Sequence, residues 1–190
     1  MTAPARTFAT TDTTATTART QPAFDRDALT RDLGLLALRL TAGLLIAGHG
    51  AQKLFGWWGG PDFNFIVNGF AQAGYTPATF FAFLAAGAEL LGGLFLALGF
   101  LTPLGSAAVI GVMFNAIVAV HWHSGVWAAN GGYELPLLIG GAALTLGFTG
   151  PGRLSLDRGW SWAAGGAASG LVSLGLGLVG ALIVMAVKAA

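Results

Sequence analysis

The chain has 190 residues, of which 55% are hydrophobic and only 9% charged, with 30 glycines and a formal net charge of +1. Water-soluble domains run near ~25% charged residues, so this balance excludes an ordinary soluble domain and indicates a polytopic membrane protein. The few Arg and Lys are scattered and form no basic stripe, which gives no nucleic-acid partner; the lack of cysteine excludes disulfide exchange, thiolate catalysis, iron–sulfur clusters and thiolate zinc sites.

Residues 1–23 mix Thr, Ala, Arg and Pro without hydrophobic periodicity and are expected to be a disordered tail. No apolar run follows their arginines before Leu33, so a signal peptide is not expected. Residues 24–32, FDRDALTRD, are expected to form a short interfacial turn, closing a first unit at 1–32. Residues 33–55 then meet the ~20-residue requirement for a membrane-spanning helix, with Gly43, Ala47 and Gly50 leaving room for close helix contact. Residues 56–77 mix Trp, Gly, Pro and Asn and read as an interfacial or partly re-entrant loop.

The second span is expected at 78–101, a tight turn at Thr102 and Pro103, and the third span at 104–122, ending in HWH. The loop SGVWAANGG leads to Tyr133, Glu134 and Pro136, and Pro suits a first helical turn. A short fourth span follows at about 135–148, then the loop GPGRLSLDRGWSW and a glycine-rich fifth span at 163–187, uncharged until Lys188. This last span can pack but offers no acid–base group. Arg6, Arg19, Arg26 and Arg31 precede span one, and Arg153 and Arg158 follow span four. The positive-inside rule therefore makes the N-terminus and the 150–162 loop cytoplasmic.

The polar residues inside the spans are few, and each is costly there without a partner. At ~100° per residue, Arg39, His49 and Lys53 fall within roughly 80° of one another, so one face of span one must look at other helices, a cavity or the interface. Glu89 is the only ionisable residue of span two, and Arg39 is its candidate cation for a structural ion pair. His49, Lys53, His121, Tyr133 and Glu134 gather at the outer level, with Asn115 somewhat inward and Glu89 near the midplane. They read either as interfacial and capping groups or as a pocket in which His49, Lys53, Glu89, Asn115, His121, Tyr133 and Glu134 bind a ligand or relay protons. A metal site is not expected: His121 and His123 would point about 160° apart on a continuing helix, and the Glu-x-x-His spacing of bundle di-iron sites is absent. A bis-His haem between His49 and His121 is geometrically allowed and nothing more.

Four segments carry a family resemblance: HGAQKLFG at 49–56, AELLGGLFLALGFLTPLG at 88–105, GGYELPLL at 131–138 and GPGRLSLD at 150–157. In this order and spacing they resemble the DoxX family of small bacterial membrane proteins. The resemblance implies a four-helix membrane core over 33–158, leaving 159–190 as a loop and an additional helix. It also implies company with membrane redox systems, since the family takes its name from a subunit associated with a terminal quinol oxidase and a thiosulfate:quinone oxidoreductase system.

The expected fold is all-α, a polytopic membrane bundle of four core helices plus a C-terminal fifth, in a bacterial plasma membrane. The expected function is an accessory or ligand-binding subunit of a quinone-linked redox system, with a lipophilic ligand near His49, Lys53, Glu89, His121 and Glu134. A quinone fits because its carbonyls need donors at the interface, its ring favours aromatics such as Trp57, Trp58, Trp122 and Tyr133, and its protons need a His or carboxyl route. Any activity would be that of a subunit of a quinone-linked oxidoreductase. Oxidoreductase subunits and the lipid bilayer are the expected partners. The alternatives are a small-molecule or lipid transporter, with Glu89 and Arg39 along a pathway, and a scaffold whose glycine-lined faces bind other subunits.

Overall fold

The computed structural model describes residues 26–189; the expected disordered tail lies outside them. Among the described residues every regular element is helical. Helix α1 runs Arg26–Phe55, with Asp27 in its first turn and Lys53 in its last, the charge order that complements a helix dipole. Its start corrects the expected interfacial turn. No Gly or Pro interrupts the segment before Leu33, so the acid-bearing residues 26–32 simply begin the same helix. Thirty residues measure about 45 Å, more than the ~30 Å hydrocarbon thickness, which leaves these first turns in the headgroup region.

Gly56 closes α1 with a left-handed φ of 65°, a conformation that costs glycine little. The following segment is more ordered than a loop. After a short 3-10 turn, Trp57–Gly59, comes helix α2, Phe63–Gln72, capped by the Asp62 carboxylate accepting from the Asn64 N–H at 2.7 Å. None of its residues is buried. It rests on the next helix through Phe63 and Phe83, whose rings are 4.3 Å apart, as an interfacial helix would.

Helix α3 is Ala78–Leu98 and α4 is Thr102–Ala116. The turn between them is Gly99–Leu101, not Thr102–Pro103: both Gly99 and Leu101 are left-handed, and Pro103 sits in the first turn of α4, where its missing N–H breaks no helical bond. A π-helical turn, Ile117–His121, and a 3-10 turn, Trp122–Ser124, end this span. Helix α5 is Glu134–Thr149 and α6 is Ala167–Ala189. Four helices are long and apolar enough to cross a membrane, those beginning at Arg26, Ala78, Thr102 and Ala167, and α5 is a shorter apolar helix.

Helices α1, α3, α4, α5 and α6 alternate in direction, forming a polytopic membrane bundle. We term the end holding the start of α1 proximal and the opposite end distal. At the proximal end the 150–157 loop binds the α3–α4 turn, with the Leu156 and Asp157 N–H groups donating to Leu98 and Gly99 carbonyls at 3.2 and 2.8 Å. At the distal end the Lys188 ammonium of α6 lies 5.0 Å above the Tyr75 ring.

Helix α1 packs against α3, α3 against α4, and α4 against both α5 and α6. Small residues permit these approaches. A Cβ on Gly93 would come within 2.5 Å of the Ala47 nitrogen and 2.6 Å of the Gly43 oxygen, and one on Gly111 within 2.9 Å of the Gly177 oxygen. Ile46, Leu96, Val109, Ile110, Met113, Ile139, Ala143 and Leu146 fill the interior, while Leu44, Leu91, Leu137, Leu138, Leu171 and Leu182 stay exposed, as lipid-facing side chains should. Helix α6 is part of this bundle: its Ser173 and Ala181 are buried.

Candidate functional site

Glu89 is the polar centre of the α1–α3 interface. The two helices are antiparallel, and a Cβ added to Gly50 would strike Ala86 and Leu90 backbone atoms, so Glu89 stands close to residue 50 across the interface. Lys53 is about one turn further toward the distal end. In an α-helix each side chain leans toward the N-terminus of its own helix; on antiparallel helices Lys53 therefore leans proximally and Glu89 distally, toward each other. The Lys53 Nζ donates to Glu89 Oε1, making an ion pair.

The pair is asymmetric. Glu89 is 2% exposed, whereas the Lys53 side chain is 33% exposed, and the second carboxylate oxygen, Glu89 Oε2, is buried without a hydrogen-bond partner. A carboxylate taken from water needs both a counter-ion and donors on its lone pairs. Here the counter-ion is present, one acceptor oxygen is left over, and the lysine side chain that supplies the counter-ion is partly exposed at the bundle surface.

This geometry corrects the candidate ion pair between Arg39 and Glu89. Arg39 lies about ten residues nearer the proximal end of α1, where it faces Gly99. A Cβ on Gly99 would fall on the Arg39 guanidinium, so this glycine serves both the left-handed turn and the close approach of the cation. Arg39 is 1% exposed and its Nη2 donates to the Leu154 carbonyl at 2.5 Å, with Nε and Nη1 unpartnered. The charge that acts on it is that of Asp157. That buried aspartate accepts from the Leu101 and Thr102 N–H groups, each at 2.8 Å, and from the Thr102 hydroxyl at 2.7 Å. It caps α4 from a distance of 55 residues along the chain.

The other expected site residues are distributed. His121 Nδ1 is 2.7 Å from the Gly131 carbonyl, which can only accept, so that nitrogen carries the proton. Tyr133 stacks on Trp122, with centroids 5.8 Å apart and planes at 14°, and the Glu134 carboxylate accepts from the Ala128 N–H at 2.9 Å. These three side chains hold the 122–134 turn together. Asn115 reaches the Gly111 and Ala181 carbonyls at 3.4 and 3.5 Å and so belongs to the α4–α6 contact, with its Oδ1 buried and unpartnered. His49 is half-buried. Among the described residues no hydrogen bond or ion pair joins Lys53 or Glu89 to His49, Asn115, His121, Tyr133 or Glu134, and no group of three or more metal-ligating side chains comes together.

Two functional features escaped the sequence. Asp157 and the pair Asp32–Arg153, in which the arginine donates through both its backbone N–H and its Nε, tie the proximal loop to α1 and α4. The acid in GPGRLSLD was visible, but nothing local indicates that it caps a helix so far away.

The DoxX family model matches residues 34–122. No curated protein and no solved structure matches the chain. The matched region holds α1 from its third turn, α2, α3 and α4 to its distal end, and thus both members of the Lys53–Glu89 pair together with Arg39, Asn115 and His121; Tyr133, Glu134 and the 150–157 motif lie beyond it. Over residues 34–122, just under half of its length, the chain is similar to the DoxX family.

Proposed function

We propose that the protein is an accessory, ligand-binding subunit of a quinone-linked membrane redox system, with the Lys53–Glu89 pair as the polar centre of its ligand site. The observation that carries this reading is the pairing of a buried carboxylate, one oxygen of which lacks a partner, with a lysine whose side chain is one-third exposed. An ammonium so placed is a hydrogen-bond donor for a carbonyl arriving from the bilayer. Glu89 behind it can accept or return a proton, the two services a quinone ring requires as it is reduced or oxidised. Phe55, Trp57 and Trp58 follow Lys53 in the chain, their rings packed in sequence at 5.0 and 5.5 Å, and exposed aromatic faces at a membrane interface suit a flat lipophilic ring. His49, four residues before Lys53 and so on the same face of α1, adds a second donor within the same stretch.

The test is mass spectrometry of the gently solubilised protein for bound lipophilic molecules and co-purifying subunits, beside Lys53→Met and Glu89→Gln. The expected outcome is a quinone that accompanies the native protein and falls to background in both variants while they remain inserted and folded. Full retention of the quinone by both folded variants, or a native protein with no lipophilic ligand under conditions that preserve its complexes, overturns the proposal.

A further inference from the structure

The proximal end carries two clefts that the Lys53–Glu89 pair does not touch. One, of ≈ 480 Å³, is lined by Leu101, Pro103, Leu104, Trp162, Ala168 and Val172 among others, without a charged residue. The other, of ≈ 590 Å³, lies between the start of α1, the end of α5 and the loop that follows, and its lining includes Arg31, Asp32, Arg153 and Arg158. Its volume falls within the ~300–1,000 Å³ of small-ligand sites. Three arginines against one aspartate leave it two positive charges in excess.

The arrangement of these charges is specific. Asp32 is 4% exposed and accepts from both the backbone N–H and the Nε of Arg153, so one carboxylate is fully committed to holding the loop on α1. Arg31 and Arg158 are exposed and enter none of the ion pairs among the described residues. The rest of the wall is mostly apolar, with Leu35, Trp160, Ala163 and Ala164 beside Thr149 and two glycines. A cationic mouth over an apolar wall, at the level where α1 leaves the hydrocarbon, matches one kind of ligand: an anionic group carried on a lipid. Guanidinium groups form paired hydrogen bonds with phosphate oxygens, and basic pockets between membrane helices are recognised sites for anionic headgroups.

We propose that this cleft binds the phosphate-bearing headgroup of an anionic phospholipid, with Arg31 and Arg158 contacting the phosphate, the Asp32–Arg153 pair holding the cleft open in shape, and Leu35 and Trp160 flanking the glycerol and upper acyl region. Native mass spectrometry of the full-length protein in detergent, titrated with phosphatidylglycerol and with phosphatidylcholine of the same acyl chains, tests it. The expected result is preferential retention of phosphatidylglycerol, weakened ~10-fold by Arg158→Gln and again by Arg31→Gln, as loss of one charge-assisted hydrogen bond each implies. Both residues are exposed, and the thermal midpoint of each variant, measured beside the native protein, verifies that the fold survives. Equal retention of the two lipids, or undiminished phosphatidylglycerol binding by the folded double variant, overturns the proposal. So does displacement of the lipid by inorganic phosphate at matched concentration, which would assign the cleft to a soluble anion.

Discussion

Lys53 and Glu89 are ion-paired across α1 and α3 although their backbones are about a turn out of register, because on antiparallel helices the two side chains lean toward each other. The pair joins a nearly sealed carboxylate to a partly exposed lysine side chain, and the asymmetry makes the two halves unequal when removed.

Removing the cation leaves Glu89 buried without any partner, whereas removing the acid leaves a lysine that can extend to the headgroups. Lys53→Met should therefore lower stability by about 1–3 kcal/mol, and Glu89→Gln by less. The double change should cost less than Lys53→Met alone. Arg39→Gln added to Glu89→Gln should restore nothing, since Arg39 belongs to the Leu154–Asp157 end of the bundle. Thermal midpoints in detergent check the order; a larger loss for Glu89→Gln than for Lys53→Met contradicts it.

Asp157 satisfies two backbone donors and a hydroxyl at the start of α4, and its charge acts favourably on the buried Arg39. Asp157→Ala should cost at least about 2 kcal/mol, more than the ~1 kcal/mol of an ordinary cap. Asp62→Ala, which removes an exposed cap from α2, is the comparison and should cost about 1 kcal/mol or less. Equal melting shifts for the two variants would show that Asp157 acts as a local cap alone.

The α1–α3 contact depends on particular glycines. A Cβ on Gly93 meets backbone atoms of α1 closer than 3 Å, whereas one on Gly87 meets nothing within 4 Å. Gly93→Ala should destabilise by about 1–3 kcal/mol through overpacking, and Gly87→Ala should be neutral or gain up to ~1 kcal/mol of helix propensity. Unfolding in mixed detergent measures both, and a neutral Gly93→Ala would mean that the helices are further apart than described.

Ser124 and Ser161 lie at opposite ends of the bundle, in the turn after α4 and the loop before α6. The chain has no cysteine, so single Ser→Cys variants report cleanly. An impermeant thiol reagent should label Ser124→Cys from outside the cell and Ser161→Cys only after the membrane is opened, in keeping with the arginines that flank the proximal end. Labelling of both from one side is incompatible with the alternating helices.

The membrane character, the number of bundle helices (though not the interfacial α2) and the approximate limits of each span were legible in the sequence, because lipid imposes a nearly continuous apolar run on any segment that crosses it. Gly43, Ala47 and Gly50 marked the packing face of α1 for the same reason, as small residues at helical spacing. The identity of Glu89 as an isolated acid in an apolar helix was equally plain. Its partner was not: charge alone favoured Arg39, and the choice of Lys53 depends on the register in which α1 and α3 meet and on the direction in which side chains lean, neither of which is written in a single helix. The role of Asp157 was hidden likewise, because a cap supplied 55 residues away leaves no local pattern. His121, Tyr133 and Glu134 share a level with Lys53 along the sequence of spans, yet their bonds close the 122–134 turn. Depth in the membrane follows from counting residues, while which neighbours a polar side chain meets at that depth is decided only when the helices pack.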